Sequence, residues 1–321
     1  MKAIVLYHPG GPESFSIENR DIPTPAEGEV LVKVKAFGLN CAELMTRKGF
    51  SPDVTFPRVL GIECVGEVEE DPSGTFKKGQ KVAAFMGEMG RKYDGSYAEY
   101  TVLPMQIITP FESTLSWEVL GALPEMFQTA YGSLHLALRI QPEETLLVRG
   151  GTSSVGLLAT QLARQYGLQV IATTRNKEKS EFLIENGAAK VLIDAGNLAE
   201  KVKAEDIQVN KVLELVGTPT LKDSLSCVVQ GGCVCMTGML SEKWSLNEFA
   251  PMDFIPAAVY LTVYDSGQLR VGDKAFQEFI RSIERGELMP KIGKFFPFSE
   301  LKGAHQFMEG NHGAGKIVLV V

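Results

Sequence analysis

The sequence has no long hydrophobic run and no block of basic residues. No stretch of about 18 predominantly apolar residues occurs, and the opening run 3–6 is too short for the core of a signal peptide. The 32 lysines and arginines against 39 acidic residues give a net charge of −7, and the positive charges form no run of five or six. We therefore expect a cytoplasmic chain without membrane or nucleic-acid partners.

Cysteine pairs are also lacking. The five cysteines are an odd number, scattered as Cys41, Cys64, Cys227, Cys233 and Cys235, and none shows CxxC spacing. This pattern argues against a disulfide framework and against a structural zinc site. Cys233 and Cys235 alternate along a predicted strand and are expected in the core. The four histidines, His8, His135, His305 and His312, are dispersed and are expected at surface or capping positions.

What the sequence does have is length, a normal apolar content and glycine. With 321 residues, 45% of them hydrophobic and 22% charged, the chain is expected to form about two globular domains. Its 32 glycines predict many positions of positive φ or close backbone approach.

The first 120 or so residues predict an antiparallel, loop-rich β domain. Short β-branched segments alternate between apolar and polar residues, and glycine and proline separate them. The predicted strands are 3–7, 29–37, 65–70, 81–85 and 97–102.

From about residue 120, strand-length apolar runs alternate with helix-length amphipathic segments. The predicted strands are 145–149, 169–173, 190–193, 211–216 and 233–237. The predicted helices are 155–166, 177–185 and 220–229, the last with Thr218 as its N-cap and Pro219 as its first residue. This order predicts a parallel, doubly wound sheet in which 233–237 is the last strand.

The C-terminal part returns to a mixed pattern. A helix with apolar residues 275, 276, 279, 280 and 283 ends at Gly286, and Ser299 is expected to cap a second helix that ends near Gly310. The apolar strand 316–321 is expected to pair inside the first domain's sheet. The predicted domains are therefore 1–121 with 255–321, and 122–254 inserted between them. The segment 249–264 fits an acceptor pocket, a subunit interface or ordinary core.

A glycine-rich turn, residues 150–156, lies between strand 145–149 and the next helix. In this context backbone N–H groups at a helix N-terminus bind dinucleotide pyrophosphate. Gly151 and Gly156 fit the first and third glycines of the G-x-G-x-x-G pattern, and Ser153 takes the middle position. The alternative is a tight turn without a ligand. The candidate binding residues are Gly151, Thr152, Ser153, Ser154, Val155 and Gly156.

The end of the second strand of this domain favours NADP over NAD. NAD-selective sites place an acidic residue there, and the segment from Thr173 to Lys179 has none at the strand tip. Thr174 and Arg175 follow the strand, and Arg175 suits bidentate contact with a 2′-phosphate. Lys179, one helical turn on, adds a second positive charge. The alternative is a solvated helix start.

Motifs over essentially the whole chain carry a family resemblance. They are Phe37-Gly38-Leu39-Asn40, Gly95-Ser96-Tyr97-Ala98-Glu99-Tyr100, Thr129-Ala130-Tyr131, the glycine-rich turn, Glu185-Asn186-Gly187-Ala188 and Gly315-Lys316-Ile317-Val318-Leu319. The chain thereby resembles the medium-chain dehydrogenase/reductase superfamily, and within it the zinc-free quinone oxidoreductases. The resemblance implies an α/β fold class, with a GroES-like β-rich domain plus a Rossmann doubly wound parallel-sheet domain, a site in the cleft between them, and a homodimer.

The resemblance also implies that the catalytic zinc of related alcohol dehydrogenases is absent. Asn40 stands where those relatives have a cysteine ligand, Ile62 where they have a histidine, and residues 125–128 contain no cysteine. Since catalytic zinc needs about three N, S or O ligands, we expect no metal.

By the same resemblance Asn40 and Thr129 lie near the nicotinamide and are the candidate catalytic residues. The Thr129 hydroxyl has the alternative of bonding to its own helix backbone. Backbone groups around Val216, Gly238 and Met239 are expected to contact the cofactor. The family tyrosine that often packs on the adenosine ribose falls near Asp194, whose charge would oppose a 2′-phosphate, which leaves the strictness of the NADP preference open.

The expected function is an NADPH-dependent, zinc-independent oxidoreductase that transfers hydride to a quinone or α,β-unsaturated carbonyl. Without a metal, the acceptor must itself delocalise the negative charge that the hydride brings. Two alternatives stay open: an enoyl-thioester reductase, and a non-catalytic NADPH-binding regulatory or structural protein.

Overall fold

The structure is a computed structural model that describes residues 1–52, 54–243, 245–310 and 314–321. The chain forms two compact units, one of residues 1–128 with 271–321 and the other of residues 129–270. Within the first unit, the Val271 N–H donates to Oε1 of Gln128 at 2.9 Å, so the residues where the chain leaves and re-enters this unit are bonded to each other.

Sixteen strands and ten α-helices lie within the described residues. The strands are β1 (Lys2–Leu6), β2 (Phe15–Asn19), β3 (Glu29–Gly38), β4 (Arg58–Val59), β5 (Glu63–Glu70), β6 (Lys81–Phe85), β7 (Tyr100–Pro104), β8 (Ile108–Pro110), β9 (Thr145–Arg149), β10 (Gln169–Thr174), β11 (Lys190–Ile193), β12 (Val209–Glu214), β13 (Val228–Met236), β14 (Tyr260–Val263), β15 (Ile292–Pro297) and β16 (Lys316–Val320). The helices are α1 (Cys41–Arg47), α2 (Trp117–Leu120), α3 (Pro124–Tyr131), α4 (Ser154–Gln165), α5 (Ser180–Glu185), α6 (Leu198–Ala204), α7 (Thr218–Leu225), α8 (Pro251–Phe254), α9 (Asp273–Glu284) and α10 (Leu301–Glu309). None of these helices is long and apolar enough to cross a membrane.

The first unit is built on β-sheets, as predicted. A three-stranded sheet has the order β2-β1-β4, and a seven-stranded sheet has the order β15-β16-β3-β5-β6-β8, with β7 also paired to β3. The pairs are antiparallel except for β15 with β16. The last strand pairs with β3 in the register Val318 to Gly38, which confirms that the C-terminal strand joins the first unit's sheet.

The helices of the first unit explain its boundary. Phe276, Phe279 and Ile280 form the buried face of α9, and the Phe279 ring stacks on Phe127 of α3 at 4.4 Å between centroids. This stacking keeps residues 122–128 in the first unit, so the observed boundary lies after the predicted one at 121. The predicted Ser299 cap is wrong, because a 3₁₀ turn, Phe298–Glu300, precedes α10 and its N-cap is Glu300.

The second unit contains a six-stranded, all-parallel sheet with the order β11-β10-β9-β12-β13-β14. This order reverses direction between β9 and β12, and it is the strand order of a doubly wound dinucleotide-binding sheet. The predicted fold class is therefore confirmed. Ligands of such sheets bind beyond the carboxyl ends of the strands, at the point of reversal.

Two predictions within this unit are corrected. Strand β14 lies inside the segment 249–264 and pairs with β13, so 233–237 is not the last strand and the predicted boundary at 254 is too early. Helix α7 begins at Thr218 itself, with Gly217 as N-cap at φ +118, and it ends at Leu225 because β13 already begins at Val228. Gly217 has a positive φ, which glycine adopts more readily than other residues, and the helix therefore begins one residue earlier than the predicted Thr218 cap implies.

Candidate functional site

The glycine-rich turn joins β9 to α4 at the point where the strand order reverses. Gly150 has φ +90, a conformation that favours glycine. A Cβ atom on Gly156 would lie 2.5 Å from the Gly150 carbonyl oxygen, and one on Gly151 would lie 3.0 Å from the Thr173 carbonyl oxygen. A larger residue would therefore clash at Gly156, would need its neighbours to shift at Gly151, and would be strained at Gly150 by the positive φ.

Ser153, in the middle position of the pattern, is the N-cap of α4. Its backbone has φ −72, so the position does not require glycine. Its hydroxyl oxygen accepts a hydrogen bond from the Gly156 N–H at 3.1 Å and donates to the Gly150 carbonyl at 2.8 Å. The first bond along the helix runs from the Leu157 N–H to the Ser153 carbonyl. The N–H groups of Ser154 and Val155 precede that bond and lie at the positive end of the helix dipole.

The end of β10 presents the two predicted cations. Thr174 is buried, and its hydroxyl donates to the Asn176 carbonyl and accepts from the Asn176 N–H at 3.2 and 3.1 Å. This local ring shapes the turn that carries Arg175, whose side chain is exposed. Lys179 is half-buried at the end of the following 3₁₀ turn, Lys177–Lys179. The turn suits an anionic group beside the strand end.

The loops that follow β12 and β13 are joined to each other. The Glu214 carboxylate accepts hydrogen bonds from the N–H groups of Val216 and Gly217 at 2.6 and 3.0 Å. The Gly238 N–H donates to the Glu214 carbonyl at 3.2 Å, and a Cβ on Gly238 would lie 2.5 Å from the Leu215 carbonyl. Val216, Gly238 and Met239 are therefore brought to one edge of the sheet, next to the glycine-rich turn.

A buried arginine lies directly before that turn. Arg149, the last residue of β9, has a fully buried side chain, and its guanidinium binds both oxygens of Asp194 at 2.8 and 2.9 Å. Burial opposes charge on Asp194, but the bonds from Arg149 and from the Gly196 N–H hold the pKa of that carboxyl below its usual value. Asp194 is thus engaged by Arg149.

In the first unit, Asn40 belongs to a buried polar cluster. The Lys316 ammonium lies 2.6 Å from Oε1 of Glu63 and donates to Oδ1 of Asn40 at 2.5 Å. The Asn40 amide nitrogen donates to the same Glu63 oxygen at 2.9 Å. The remaining Glu63 oxygen accepts the Glu125 N–H at 2.8 Å. The orientation of the half-exposed Asn40 amide is therefore fixed from two sides.

Glu43 completes this cluster from α1. Its carboxylate accepts the backbone N–H groups of Asn40 at 2.8 Å and Ile62 at 3.2 Å. Burial raises the pKa of Glu43 to about 7, with Lys316 opposing and Glu63 adding to the rise. Near neutral pH the Glu43 carboxyl is therefore partly protonated, although it is almost fully buried.

Zinc, in the arrangement that the resemblance implies for related alcohol dehydrogenases, does not fit these residues. Ile62 is buried and offers no ligand atom. Asn40 is bound by the Lys316 ammonium, whose positive charge would repel a metal ion at the same place. Within the described residues, no group of three or more His, Cys, Asp and Glu side chains is arranged to hold a metal.

Thr129 begins the second unit, on α3, and is half-buried. Its carbonyl accepts the Ser133 hydroxyl at 2.6 Å, and the same hydroxyl lies 2.9 Å from that of Thr237. A π-helical turn, Gly132–Ala137, follows α3, and such turns are frequent at functional sites. Asn40 and Thr129 thus lie in different units.

The remaining cysteines and histidines do not form a cluster in the described residues. Cys235 is buried on β13 as expected, whereas Cys233 on the same strand is only partly buried. His305 is fully buried and bonds to the Tyr97 hydroxyl at 3.1 Å, so its predicted surface or capping position is wrong. His312 lies outside the described residues.

Comparison with known proteins identifies the family. The alcohol dehydrogenase GroES-like domain matches residues 26–113, and the zinc-binding dehydrogenase family matches residues 154–285. The chain belongs to the medium-chain dehydrogenase/reductase superfamily. Quinone oxidoreductase from Mus musculus is 28% identical over 335 residues, which are 100% of this chain and 98% of the relative. This match confirms the predicted likeness to quinone oxidoreductases, and the chain is an oxidoreductase of this superfamily.

Two further relatives cover nearly the same length. Acryloyl-coenzyme A reductase from Metallosphaera sedula is 25% identical over 342 residues, 99% of each chain. A solved mycobacterial protein in complex with NADPH superposes with a TM-score of 0.87, at 27% identity and 100% coverage of both chains. The GroES-like and Rossmann-type architecture of this medium-chain dehydrogenase/reductase is thereby confirmed, and a nicotinamide cofactor fits it.

The ionic partners of Arg149 and Lys316 in this medium-chain dehydrogenase/reductase do not follow from the sequence. Arg149 ends a predicted apolar strand, and no pattern in the sequence pairs Lys316 with Glu63. The sequence does carry one signal for Arg149, because a charged residue that ends an otherwise apolar parallel strand needs a buried partner. The identity of the partners carries no local signal, because Asp194 and Arg149 are far apart in sequence.

Proposed function

We propose that the protein is an NADPH-dependent, zinc-independent reductase of quinones or α,β-unsaturated carbonyl compounds. The observation that carries the proposal is the Lys316 ammonium between Glu63 and Asn40, because Asn40 stands where metal-dependent relatives are expected to have a zinc ligand. Full-length similarity to a quinone oxidoreductase supports the same activity.

The glycine-rich turn would hold the pyrophosphate of the cofactor. The N–H groups of Ser154 and Val155, at the start of α4, suit a diphosphate. Arg175 and Lys179 would bind the 2′-phosphate, since a guanidinium matches phosphate geometry and the ammonium adds charge. When bound, NADPH supplies the hydride.

The acceptor must be electrophilic without a metal. A quinone or a conjugated carbonyl qualifies, because hydride addition to it produces an anion that is delocalised and can be stabilised by hydrogen-bond donors. Asn40 is our candidate for orienting the nicotinamide or the acceptor, since Lys316 and Glu63 fix its amide. Thr129 is the second candidate. The proton that completes the reduction would come from solvent or from a ribose hydroxyl.

A second candidate function is the reduction of an enoyl thioester. It is favoured by the similarity of the chain, at 25% identity and 99% coverage, to an acryloyl-coenzyme A reductase. The first step is the same hydride addition to a conjugated carbonyl, so the two candidates differ in the acceptor and not in the chemistry of the site.

We also propose that the protein is a cytoplasmic homodimer. The outer strand β14 of the parallel sheet carries Tyr260 and Val263, both 63% exposed. An exposed apolar edge strand presents unpaired backbone groups that favour pairing with a second chain.

The activity test is a steady-state panel of quinones, enones, 2-alkenals and enoyl thioesters with NADPH and with NADH. The proposal expects NADPH oxidation with at least one of the first three classes, and a higher kcat/KM for enoyl thioesters would select the second candidate. NADPH binding without turnover would select a non-catalytic binding protein. One zinc per chain by metal analysis would overturn the metal-free reaction.

The cofactor test compares dissociation constants by NADPH and NADH fluorescence. Arg175→Ala is expected to weaken NADPH binding by about tenfold or more and to leave NADH binding unchanged, because a charge-assisted contact contributes about 1.5–3 kcal/mol. Lys177→Ala is the matched control, since Lys177 is an exposed cation on the same turn. Equal affinity of the wild type for both nucleotides would refute the 2′-phosphate assignment.

A further inference from the structure

Asp194 lies close to the strand end at which nucleotide-binding folds read the adenosine ribose. It directly follows β11, and its N–H donates to the carbonyl of Thr174, the last residue of β10, at 2.8 Å. In NAD-selective folds the carboxylate that binds the ribose 2′-hydroxyl follows the second strand, which is β10 here, and Asp194 lies beside the end of that strand. The same carboxylate disfavours a phosphate, because like charges repel. The direction in which Asp194 points therefore bears on the choice of nucleotide.

Both oxygens of Asp194 are engaged within the unit. Oδ2 accepts from Nε of Arg149 at 2.8 Å, and Oδ1 accepts from Nη2 at 2.9 Å and from the Gly196 N–H at 2.9 Å. The Arg149 side chain is fully buried, and that of Asp194 is 10% exposed. This bidentate pair has the geometry of the stronger charge-assisted contacts.

Arg149 is itself held in place by α7. Its Nη1 lies 2.8 Å from Oδ2 of Asp223 and donates to the Thr220 carbonyl and the Ser224 hydroxyl, each at 3.0 Å. All three guanidinium nitrogens are thus used. Arg149 cannot follow Asp194 toward solvent without breaking its contacts to α7, so the pair keeps the carboxylate turned toward the interior of the unit.

We propose that Arg149 sets the nucleotide preference by withholding the Asp194 carboxylate from the adenosine ribose. The inference rests on the proposed function, in which Arg175 and Lys179 bind the 2′-phosphate. With Asp194 bound to Arg149, the Asp194 carboxylate does not oppose these two cations at the strand end. Without Arg149, Asp194 loses its bidentate ion pair, and its negative charge then favours NADH and disfavours NADPH. Arg149 acts through Asp194 and is a positioning residue.

The test is a double-mutant cycle on nucleotide binding. Dissociation constants of NADPH and NADH are measured by fluorescence titration for the wild type, Asp194→Asn, Arg149→Met and the double variant. Asp194→Asn alone is expected to change the NADPH-to-NADH affinity ratio by less than about twofold, because the carboxylate is already withheld. Arg149→Met is expected to lower the ratio by about tenfold or more, and the double variant to restore most of it.

Two results overturn the inference. One is an unchanged ratio in folded Arg149→Met, and the other is a gain of about tenfold in NADPH preference for Asp194→Asn alone, which would show that Asp194 already faces the nucleotide. Because Arg149→Met removes a buried charge, Arg149→Lys is made as well. Arg149→Lys keeps the positive charge but cannot make the bidentate contact with Asp194. The inference requires that it also lowers the NADPH-to-NADH affinity ratio. Circular dichroism and thermal unfolding establish that each variant is folded.

Failure of the inference and failure of the proposed function give different patterns. A wild-type preference for NADPH that is lost in Arg175→Ala but unaffected by the Arg149 variants overturns the role of Arg149 alone. A wild type without any preference overturns both, since no positive 2′-phosphate site then exists for Asp194 to oppose.

Discussion

The Lys316 ammonium lies 2.6 Å from Oε1 of Glu63, and the two side chains are 2% and 0% exposed. Glu63 and Glu43 are both buried in this part of the first unit. The positive charge of Lys316 offsets part of the free-energy cost of burying negative charge there. Lys316 is also the donor to Oδ1 of Asn40. The stability of the unit and the orientation of a candidate catalytic side chain thus depend on the same cation.

Replacing this lysine with methionine should strongly destabilise the protein. Lys316→Met leaves the Glu63 carboxylate buried without its partner, and breaking a buried ion pair costs about 3–5 kcal/mol in the free energy of unfolding. Urea denaturation at neutral pH measures the loss.

The double variant Lys316→Met with Glu63→Gln should recover part of this loss, because no uncompensated charge is then buried. Lys35→Met is the matched control. Lys35 pairs with Glu67 at 3.0 Å on the same sheet, but both side chains are partly exposed, so the expected cost is about 0–1 kcal/mol. Equal costs for the two lysines would show that the buried pair has no special role.

Glu43 should make the protein less stable as the pH rises from about 5 to about 8. Its pKa is raised from 4.5 to about 7 in the folded protein, so the unfolded chain loses the proton first. Between these values the folded state binds more protons, and stability therefore falls with rising pH. Glu43→Gln removes the titration. Its free energy of unfolding relative to the wild type should rise by about 2–3 kcal/mol from pH 5 to pH 8.

Urea denaturation of both proteins at several pH values measures this difference. Glu27→Gln, at an exposed position, controls for the change in net charge. Parallel pH profiles of the wild type and Glu43→Gln would show that Glu43 titrates alike in the folded and unfolded states.

The elements whose formation depends on local sequence were predictable. The strands β6 and β9 were predicted with their observed bounds, because apolar runs and flanking turn residues are local signals. The final strand β16 was predictable from its apolar character, since such a segment must be covered. The glycine-rich turn was recognised from its place between a strand and a helix.

What could not be predicted depends on contacts distant in sequence. Strand β14 has no clear alternation, and only its pairing with β13 defines it as a strand. The partners of Arg149 and Lys316 come from segments far along the chain, and no periodic pattern encodes them. Asp194 shows the consequence for the site. The sequence placed its charge near a 2′-phosphate, whereas its side chain is bound by Arg149.

Ser153 combines a capping role with a place in the proposed pyrophosphate site, and substitutions should separate the two. Ser153→Ala removes the acceptor for the Gly156 N–H and should cost about 1 kcal/mol of stability. Ser153→Asp keeps a capping acceptor but loses the donor to the Gly150 carbonyl, so it should be less destabilised than Ser153→Ala. Its negative charge should weaken NADPH binding by about tenfold or more. Thermal unfolding and fluorescence titration measure the two effects, and unchanged NADPH affinity in Ser153→Asp would argue against pyrophosphate at this helix.

The exposed edge of β14 should determine the oligomeric state. Its unpaired backbone groups and the apolar Val263 favour pairing with a second chain, whereas a lysine on an edge strand opposes such pairing. Light scattering after gel filtration should give twice the chain mass of 35.0 kDa for the wild type, and Val263→Lys should shift the mass toward that of one chain. Ile17→Lys is the control, because Ile17 is an exposed apolar residue on the outer strand β2 of the first unit. A dimer that resists Val263→Lys but dissociates with Ile17→Lys would place the interface on the first unit instead.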